Sequence, residues 1–404
     1  MGAITGASAR PWGPHVGRLT RWIAAAGAFT ISLDSMVNVA FPAMAASFHL
    51  PPESMRWVIV CYVLTYSIVS LAGGALGDRI GHARVFRGGL AASAVAFMIA
   101  ASAPAFGWLL GGRVVQGVAA GLVYGTAPGL TTLVVSPGMR GRALGFLNAA
   151  IALSGIAGPV AAGALVRVFG WPSVFATRVP IALIVLAWAW RGVPPEPPIV
   201  PSVRVAAARL LPAPVARQCL LSFVANGGIF AIWLLAPFYL IDLRGLDALA
   251  GGLMFMLTSL GMGVAAPFAG RVIDAVGARA PMLLGLVIEA LGLLAISRAG
   301  TTTPLALVAL ALFGAGFGLG LFQVPNMTAV MSAFPATQQG IAGGLAFMAR
   351  TLGVVAGVTT LSAVFGAWRR SAGFEAAFVA AFVVAGAAVG AAALVAGIPV
   401  RHRG

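Results

Sequence analysis

The segment Gly74–Gly81 reads GALGDRIG, and Gly270–Gly277 reads GRVIDAVG. Each has a glycine, an aspartate four residues on and a second glycine three further, and the two copies lie 196 residues apart in a chain of 404. A spacing repeated at half the chain length marks two structurally related halves, one of the repeat designs found in secondary transporters. Working outward from the two copies, apolar runs fall at 20–46, 56–77, 85–104, 107–135, 143–168 and 173–191, then at 218–241, 250–270, 280–298, 304–333, 340–367 and 374–399. At about 1.5 Å rise per helical residue, some 20 residues cross a hydrocarbon layer about 30 Å thick. Runs of this length are helices, because the strands of a membrane barrel are about ten alternating residues long. The sequence therefore predicts an all-α membrane protein with twelve transmembrane helices in two pseudo-symmetric six-helix bundles.

Composition agrees with this reading. Hydrophobic residues make up 60% of the chain and charged residues 8%, with a mean hydropathy of +1.00, outside the range of soluble domains. Between the sixth and seventh runs, Arg191–Arg217 is rich in proline and arginine with no sustained apolar period, as expected of an extended linker. The expected division is 1–193, an N-terminal bundle; 194–217, a cytoplasmic linker; and 218–404, a C-terminal bundle.

The formal net charge of +16 comes from 25 basic residues, all of them arginine. They sit in short loops between apolar runs, so they report topology and exclude a nucleic-acid partner. With both termini in the cytoplasm, sixteen arginines fall on the cytoplasmic side, seven on the other, and Arg113 and Arg350 inside helices. That bias favours a multi-pass protein of the cytoplasmic (inner) membrane with both termini inside. Ala43-Met44-Ala45 faintly resembles a leader cleavage site, but the run around it exceeds a signal-peptide core and is expected to be a retained helix. Cys61 and Cys219 lie in apolar runs with no ligand spacing, so neither a disulfide nor a metal site is expected. His15, His49, His82 and His402 all read as loop or tail residues, and no nucleophile–base constellation accompanies them, so an enzyme is not expected.

Two carboxylates stand out by depth. Asp34 lies thirteen residues beyond Arg21, and Glu289 lies ten after Arg279 and nine before Arg298. Each is thus near the middle of its helix. An ionised carboxylate there costs at least a few kcal/mol, so it persists by facing a wet cavity, by pairing, or by taking up a proton. The structural alternatives are a hydrogen bond from Asp34 to Asn38, one turn along, and a Glu289 bonded within the second bundle. Tyr62 and Tyr66 share one helix face, while Asn226, Trp233, Gln323 and Asn326 supply polar or aromatic groups to the second half. Such a lining suits an amphipathic organic substrate.

Several segments resemble the major facilitator superfamily. The loop ALGDRIGHAR meets its second-to-third-loop signature through Gly74, Leu76, Asp78, Arg79 and Gly81, with Asp274 in the repeat copy, and departs from it at His82 and Ala83. Leu33–Pro42, LDSMVNVAFP, resembles the first-helix signature of its drug:proton antiporters, with Ser35 where threonine is usual. Arg113-Val-Val-Gln116-Gly117 resembles a fourth-helix signature implicated in proton coupling. Gly155-Ile-Ala-Gly158-Pro159-Val-Ala-Ala-Gly163 resembles the antiporter signature of the fifth helix. Trp171–Pro180 resembles the family's next motif, with Arg178 at its asparagine position, which puts a cation near the outer mouth. Gly314–Pro325, Gly340–Gly344 and Arg350–Gly353 resemble the tenth and eleventh helices.

This resemblance implies a proton-coupled secondary transporter that exports small amphipathic molecules or drugs by alternating access. It implies no cofactor beyond the proton gradient, a small-molecule substrate, a bilayer environment and a monomer. The same fold also serves importers and uniporters, and a membrane sensor that has lost transport is a further alternative. The candidate coupling or substrate residues are Asp34, Asn38, Arg113, Gln116, Glu289 and Arg350, with Asp34 first among them and Glu289 included for its depth.

Overall fold

The computed structural model describes residues 14–136, 139–193, 213–334 and 339–398. The first crossing is built from α1 (Pro14–Ser32), α2 (Ser35–Val39) and α3 (Phe41–Ser47), and α4 (Arg56–Ile80), α5 (His82–Ala101), α6 (Phe106–Leu133) and α7 (Arg140–Phe169) follow. The short α8 (Ser173–Ala176) and α9 (Arg178–Gly192) make the sixth crossing. The second half contains α10 (Ala213–Phe238), α11 (Ala248–Val276), α12 (Arg279–Ser297), α13 (Leu305–Ser332) and α14 (Gln339–Gly397). Within α14 a left-handed Gly373, φ 83°, divides two crossings, so twelve crossings are described, six in each bundle. Of the expected linker, residues 194–212 lie outside the described residues, while Ala213–Arg217 already form the first turn of α10.

Tertiary structure bears out the repeat. Gly81 and Gly277 close α4 and α11 with φ of 97° and 79°, a conformation glycine reaches without a Cβ penalty. Apolar side chains gain little by leaving lipid for protein, so the helices associate through small residues that admit a neighbouring backbone. A Cβ on Gly125 would lie 2.7 Å from the Gly74 nitrogen, which docks α4 on α6; one on Gly320 would lie 2.6 Å from the Met262 carbonyl oxygen, docking α11 on α13. Arginine caps also repeat. Arg87 donates to the carbonyls of Ala189 and Val193 at the end of α9, and Arg279 donates to that of Gly397 at the end of α14, where cations suit the helix dipole.

The bundles meet most firmly at the end of the molecule that carries the Gly373 bend. There Glu53 receives both Nε and Nη2 of Arg369, at 3.1 and 3.0 Å. Arg167 pairs with Asp247 at 3.2 Å, and Arg56 reaches Ser362 at 3.4 Å. Beside these bonds α7 and α11 pack backbone to backbone: a Cβ on Gly163 would run into Ala248, and one on Gly252 into the Pro159 carbonyl. At the opposite end, where the described chain begins and finishes, no ion pair joins the bundles among the described residues.

The first crossing differs from the continuous helix expected over 20–46. It breaks at Leu33 and Asp34, and the chain proceeds by tight three-residue turns, with Asp34 N bonded to Ile31 O at 3.3 Å and Val37 N to Asp34 O at 3.0 Å. The carbonyls of Thr30 and Ile31, released from the α-helical pattern, become acceptors for a side chain from another helix. Pro42, lacking an amide, starts α3 within its first turn.

Candidate functional site

The break in the first crossing turns Asp34 toward α6 and α9, where three side chains converge on it. From α6, Arg113 donates Nη1 to Oδ1 at 2.6 Å and Nη2 to Oδ2 at 2.8 Å, the two-pronged geometry that suits guanidinium to carboxylate. One turn on, Gln116 donates Nε2 to Oδ1 at 2.8 Å and accepts from Arg113 Nη1 at 2.8 Å. From the first turn of α9, Arg178 donates Nη1 to Oδ1 at 3.2 Å and Nη2 to the released carbonyls of Thr30 and Ile31 at 3.4 and 3.0 Å.

Each guanidinium is also held from behind. Arg113 Nε donates to Val58 O at 2.9 Å, and its cationic carbon lies 4.3 Å from the Tyr62 ring centroid. Arg178 lies 4.1 Å from that of Phe97. Ring faces attract a desolvated cation. Arg113 and Arg178 retain 1% and 0% of their side-chain surface, while Asp34 retains 18%. The carboxylate is thus the one ionic member that solvent or a ligand reaches.

Beside the cluster runs an aromatic wall. Tyr62 and Tyr66 have centroids 5.0 Å apart, Tyr66 and Tyr124 5.7 Å, and Tyr66 and Phe347 of α14 6.1 Å, so the wall crosses between bundles. Tyr124 also shares a 2.8 Å hydrogen bond with Ser32. The second half contributes neutral groups. Gln323 donates to Asn226 at 3.2 Å, and Trp233 stacks on Phe230 with centroids 5.4 Å apart.

Other expected site residues are placed elsewhere. Arg178 is not at an open mouth: it is fully buried, because the carbonyls freed by the helix break and the shared carboxylate give it acceptors inside. Asn38 is buried, but its amide makes no hydrogen bond to Asp34 among the described residues, since the break turns Asp34 toward α6. Asn326 turns away to Gln218, 3.0 Å from its backbone and side-chain oxygens. Arg350 is exposed on α14. Gly158 packs on Ser35, whose hydroxyl donates to Ser154 O at 3.2 Å, so the antiporter-like segment with Pro159 and Gly163 abuts the broken first crossing.

In the loop motif, Gly74 packs on α6 and Gly81 turns the chain, but Asp78 bonds to His82 at 3.1 Å, and Arg79 is exposed and makes no ion pair among the described residues. His82 is not a loop residue: it opens α5 and is buried under Gly77 and Gly129. The side chain of Asp274 lies outside the described residues. Sequence reasoning missed Ser32, Tyr124 and Phe347. The signal for Tyr124 was present, since Gln116, Ala120 and Tyr124 recur every four residues on one face of α6.

Glu289 is separated from the cluster. It sits on α12 within the second bundle, with its backbone against Gly318 of α13 and the adjoining Ala290 against Gly386 of α14. Both carboxylate oxygens are buried with no hydrogen-bond partner among the described residues. Leaving a buried polar group unsatisfied costs about 1–3 kcal/mol. Glu289→Met should therefore raise or preserve the midpoint of thermal unfolding in detergent and leave transport intact; loss of transport in a folded variant would show that the carboxyl group acts in the cycle.

A polytopic helical fold of paired six-helix bundles is an architecture of secondary transporters. The family model described as Major Facilitator Superfamily matches residues 23–358, and the chain belongs to that superfamily. Among curated relatives, the riboflavin transporter RibZ of Clostridioides difficile is 25% identical, over 84% of this chain and 86% of its own. The tetracenomycin C resistance and export protein of Streptomyces glaucescens is also 25% identical, over 88% of this chain and 76% of its own. The crystal structure of the nucleoside transporter NupG superposes with a TM-score of 0.76, covering 94% of this chain and 99% of that one at 12% identity. That last likeness concerns the fold.

Proposed function

We propose that this protein exports small amphipathic organic molecules across the cytoplasmic (inner) membrane, driven by the proton gradient, as a monomer with both termini in the cytoplasm and no bound cofactor. The observation that carries the reading is Asp34: an interior carboxylate with 18% of its surface open, held by two guanidiniums. A proton placed on Asp34 removes the negative charge on which Arg113 and Arg178 converge. The two cations then repel and lose their shared acceptor, and the helices that carry them, α6 and α9, are free to shift against the first crossing.

The inter-bundle contacts set the geometry of the cycle. The bend end, taken as the outer side, is latched by Glu53 with Arg369 and Arg167 with Asp247, and the other end has no such ion pairs among the described residues. This arrangement is a state held closed on the outer side, which an exporter occupies when it loads and an importer when it unloads. Rocking the bundles about the central site would break the latch and open the opposite path. Export is favoured over import by the antiporter-like segment at Gly158, Pro159 and Gly163, and by the relative named for resistance and export.

A growth screen of a pump-deficient host against toxic compounds and metabolites should yield a compound to which expression confers tolerance. Everted vesicles should then accumulate it and release protons as they do so. Accumulation in right-side-out vesicles would reverse the direction, and accumulation without proton movement would remove the coupling.

A further inference from the structure

We infer that the first bundle carries, at its cytoplasmic end, a site for a phospholipid with an anionic headgroup, whose phosphate lies between Arg18 and Arg142 and whose acyl chain follows the seam of α1 and α7. Only the choice of leaflet rests on the orientation proposed for the chain. The site itself is independent of the direction and coupling of transport.

An aromatic contact fixes the seam. Trp22 of α1 and Phe146 of α7 meet edge to face, with ring centroids 4.6 Å apart. Arg18 lies four residues before Trp22, and Arg142 four before Phe146, so each arginine is one helical turn back on the same face as its aromatic neighbour. The first and fifth crossings run in the same direction, and both steps therefore lead toward the same membrane surface. Two guanidiniums are brought side by side, one turn beyond a packed aromatic pair. Both arginines are exposed, and neither makes an ion pair among the described residues.

This face of the bundle is turned to lipid. Arg142, Phe146, Ala149 and Leu153 follow one another at intervals of four, three and four residues, which makes a single stripe along α7. Gly155, two residues past Leu153 and so nearly on the opposite side of the helix, packs against Ser259 of α11 in the other bundle. The stripe thus points away from the inter-bundle contact. Leu153 and Trp22 keep 56% and 53% of their surface open, and Ala149 is exposed. Going inward from the membrane surface, the seam presents two unneutralised cations, then an aromatic pair with a tryptophan suited to the headgroup level, then open apolar surface. That order matches a phospholipid from head to tail.

Topology alone asks for less. Arginine anywhere in the loops would set orientation, whereas these two lie inside helices and in register with each other. Basic pockets between membrane helices select anionic headgroups, and two arginines near the surface favour an anionic over a zwitterionic lipid by about tenfold or more. A free phosphate ion would meet the same cations but leave the apolar stripe uncovered.

Tryptophan quenching by lipids brominated in the acyl chain tests the site, because bromine quenches on contact. The full chain is reconstituted in phosphatidylcholine vesicles containing a graded fraction of brominated phosphatidylglycerol or of brominated phosphatidylcholine. The part of the signal lost in Trp22→Phe isolates Trp22 from the rest of the nine tryptophans. That part should reach half-quenching at about a tenfold lower fraction of the phosphatidylglycerol, and the double variant Arg18→Gln with Arg142→Gln should bring the two curves together. Should the double variant fail to fold, either single change should reduce the preference severalfold. Equal quenching by the two lipids in the parent, a preference that survives in the folded double variant, or relief of the quenching by millimolar inorganic phosphate, which would make the arginines a site for a free anion, would each overturn the inference.

Discussion

Replacing Asp34 by asparagine should abolish transport and destabilise the protein, the largest effect expected of any single substitution in the cluster. The change keeps the shape of the side chain and removes its charge, so Arg113 and Arg178 are left buried within reach of one another with no carboxylate between them. Breaking one side of a buried ion pair costs about 3–5 kcal/mol, because the remaining charge stays buried and uncompensated. Here two charges are left. Thermal unfolding in detergent and flux of the screened compound would read the two consequences separately. The double variant Asp34→Asn with Arg113→Gln, which brings the cluster back to +1, should recover much of the lost stability and none of the transport. Normal coupled flux in Asp34→Asn would remove Asp34 from the mechanism. Recovery of transport by the double variant would reduce the cluster to a structural brace.

Gly163→Leu should also arrest transport, for a steric reason. A Cβ at this position runs into Ala248 and would lie 2.7 Å from the Leu249 Cα. Both contacts are backbone, which cannot rotate aside as a side chain does, and they join α7 of one bundle to α11 of the other. Overpacking a tight contact costs about 1–3 kcal/mol, and here the strain is relieved by separating the bundles at the bend end. The variant should fold, lose flux, and expose the bend-end surface. A cysteine introduced at Leu249 in a background without Cys61 and Cys219 should react with a water-soluble maleimide several times faster than in the parent. An unchanged labelling rate with lost flux would place the defect elsewhere, and retained flux would show that this contact need not form.

How much of this could be read in advance differs by residue. The paired loops were legible because a turn at positive φ selects glycine: Gly81 and Gly277 keep the same spacing from Asp78 and Asp274, and both adopt that conformation. Helix number followed from run length, with the last two crossings joined through Gly373. Arg113 with Gln116 was legible through the resemblance of Arg113-Val-Val-Gln116-Gly117 to a fourth-helix signature of the family. Asp34 was legible by depth. Its environment was not, because the helix break at Leu33 and Asp34 carries no glycine or proline to announce it. Without that break the carbonyls of Thr30 and Ile31 are engaged along the helix axis by its own amides, and Arg178 reads as a residue of the outer mouth. Nor could the sequence distinguish the interior carboxylates by partner. Asp34 gathers three side chains because α6 and α9 bring donors to it, whereas α13 presents glycine to Glu289.

The central claim is that one interior site is exposed alternately to the two sides of the membrane by rocking two bundles. Its most direct test is a pair of spin–spin distance measurements in nanodiscs on a chain lacking both native cysteines, with labels at Phe169 and Ser371 across the bend end and, in a second variant, at Ile80 and Val276 across the other. Two populations are expected at each end with opposite response: conditions that lengthen the distance between positions 169 and 371 shorten that between 80 and 276, and Glu53→Gln, which weakens the latch, shifts both in those directions. Distances that move together, or a single unchanging distance at each end, would contradict it.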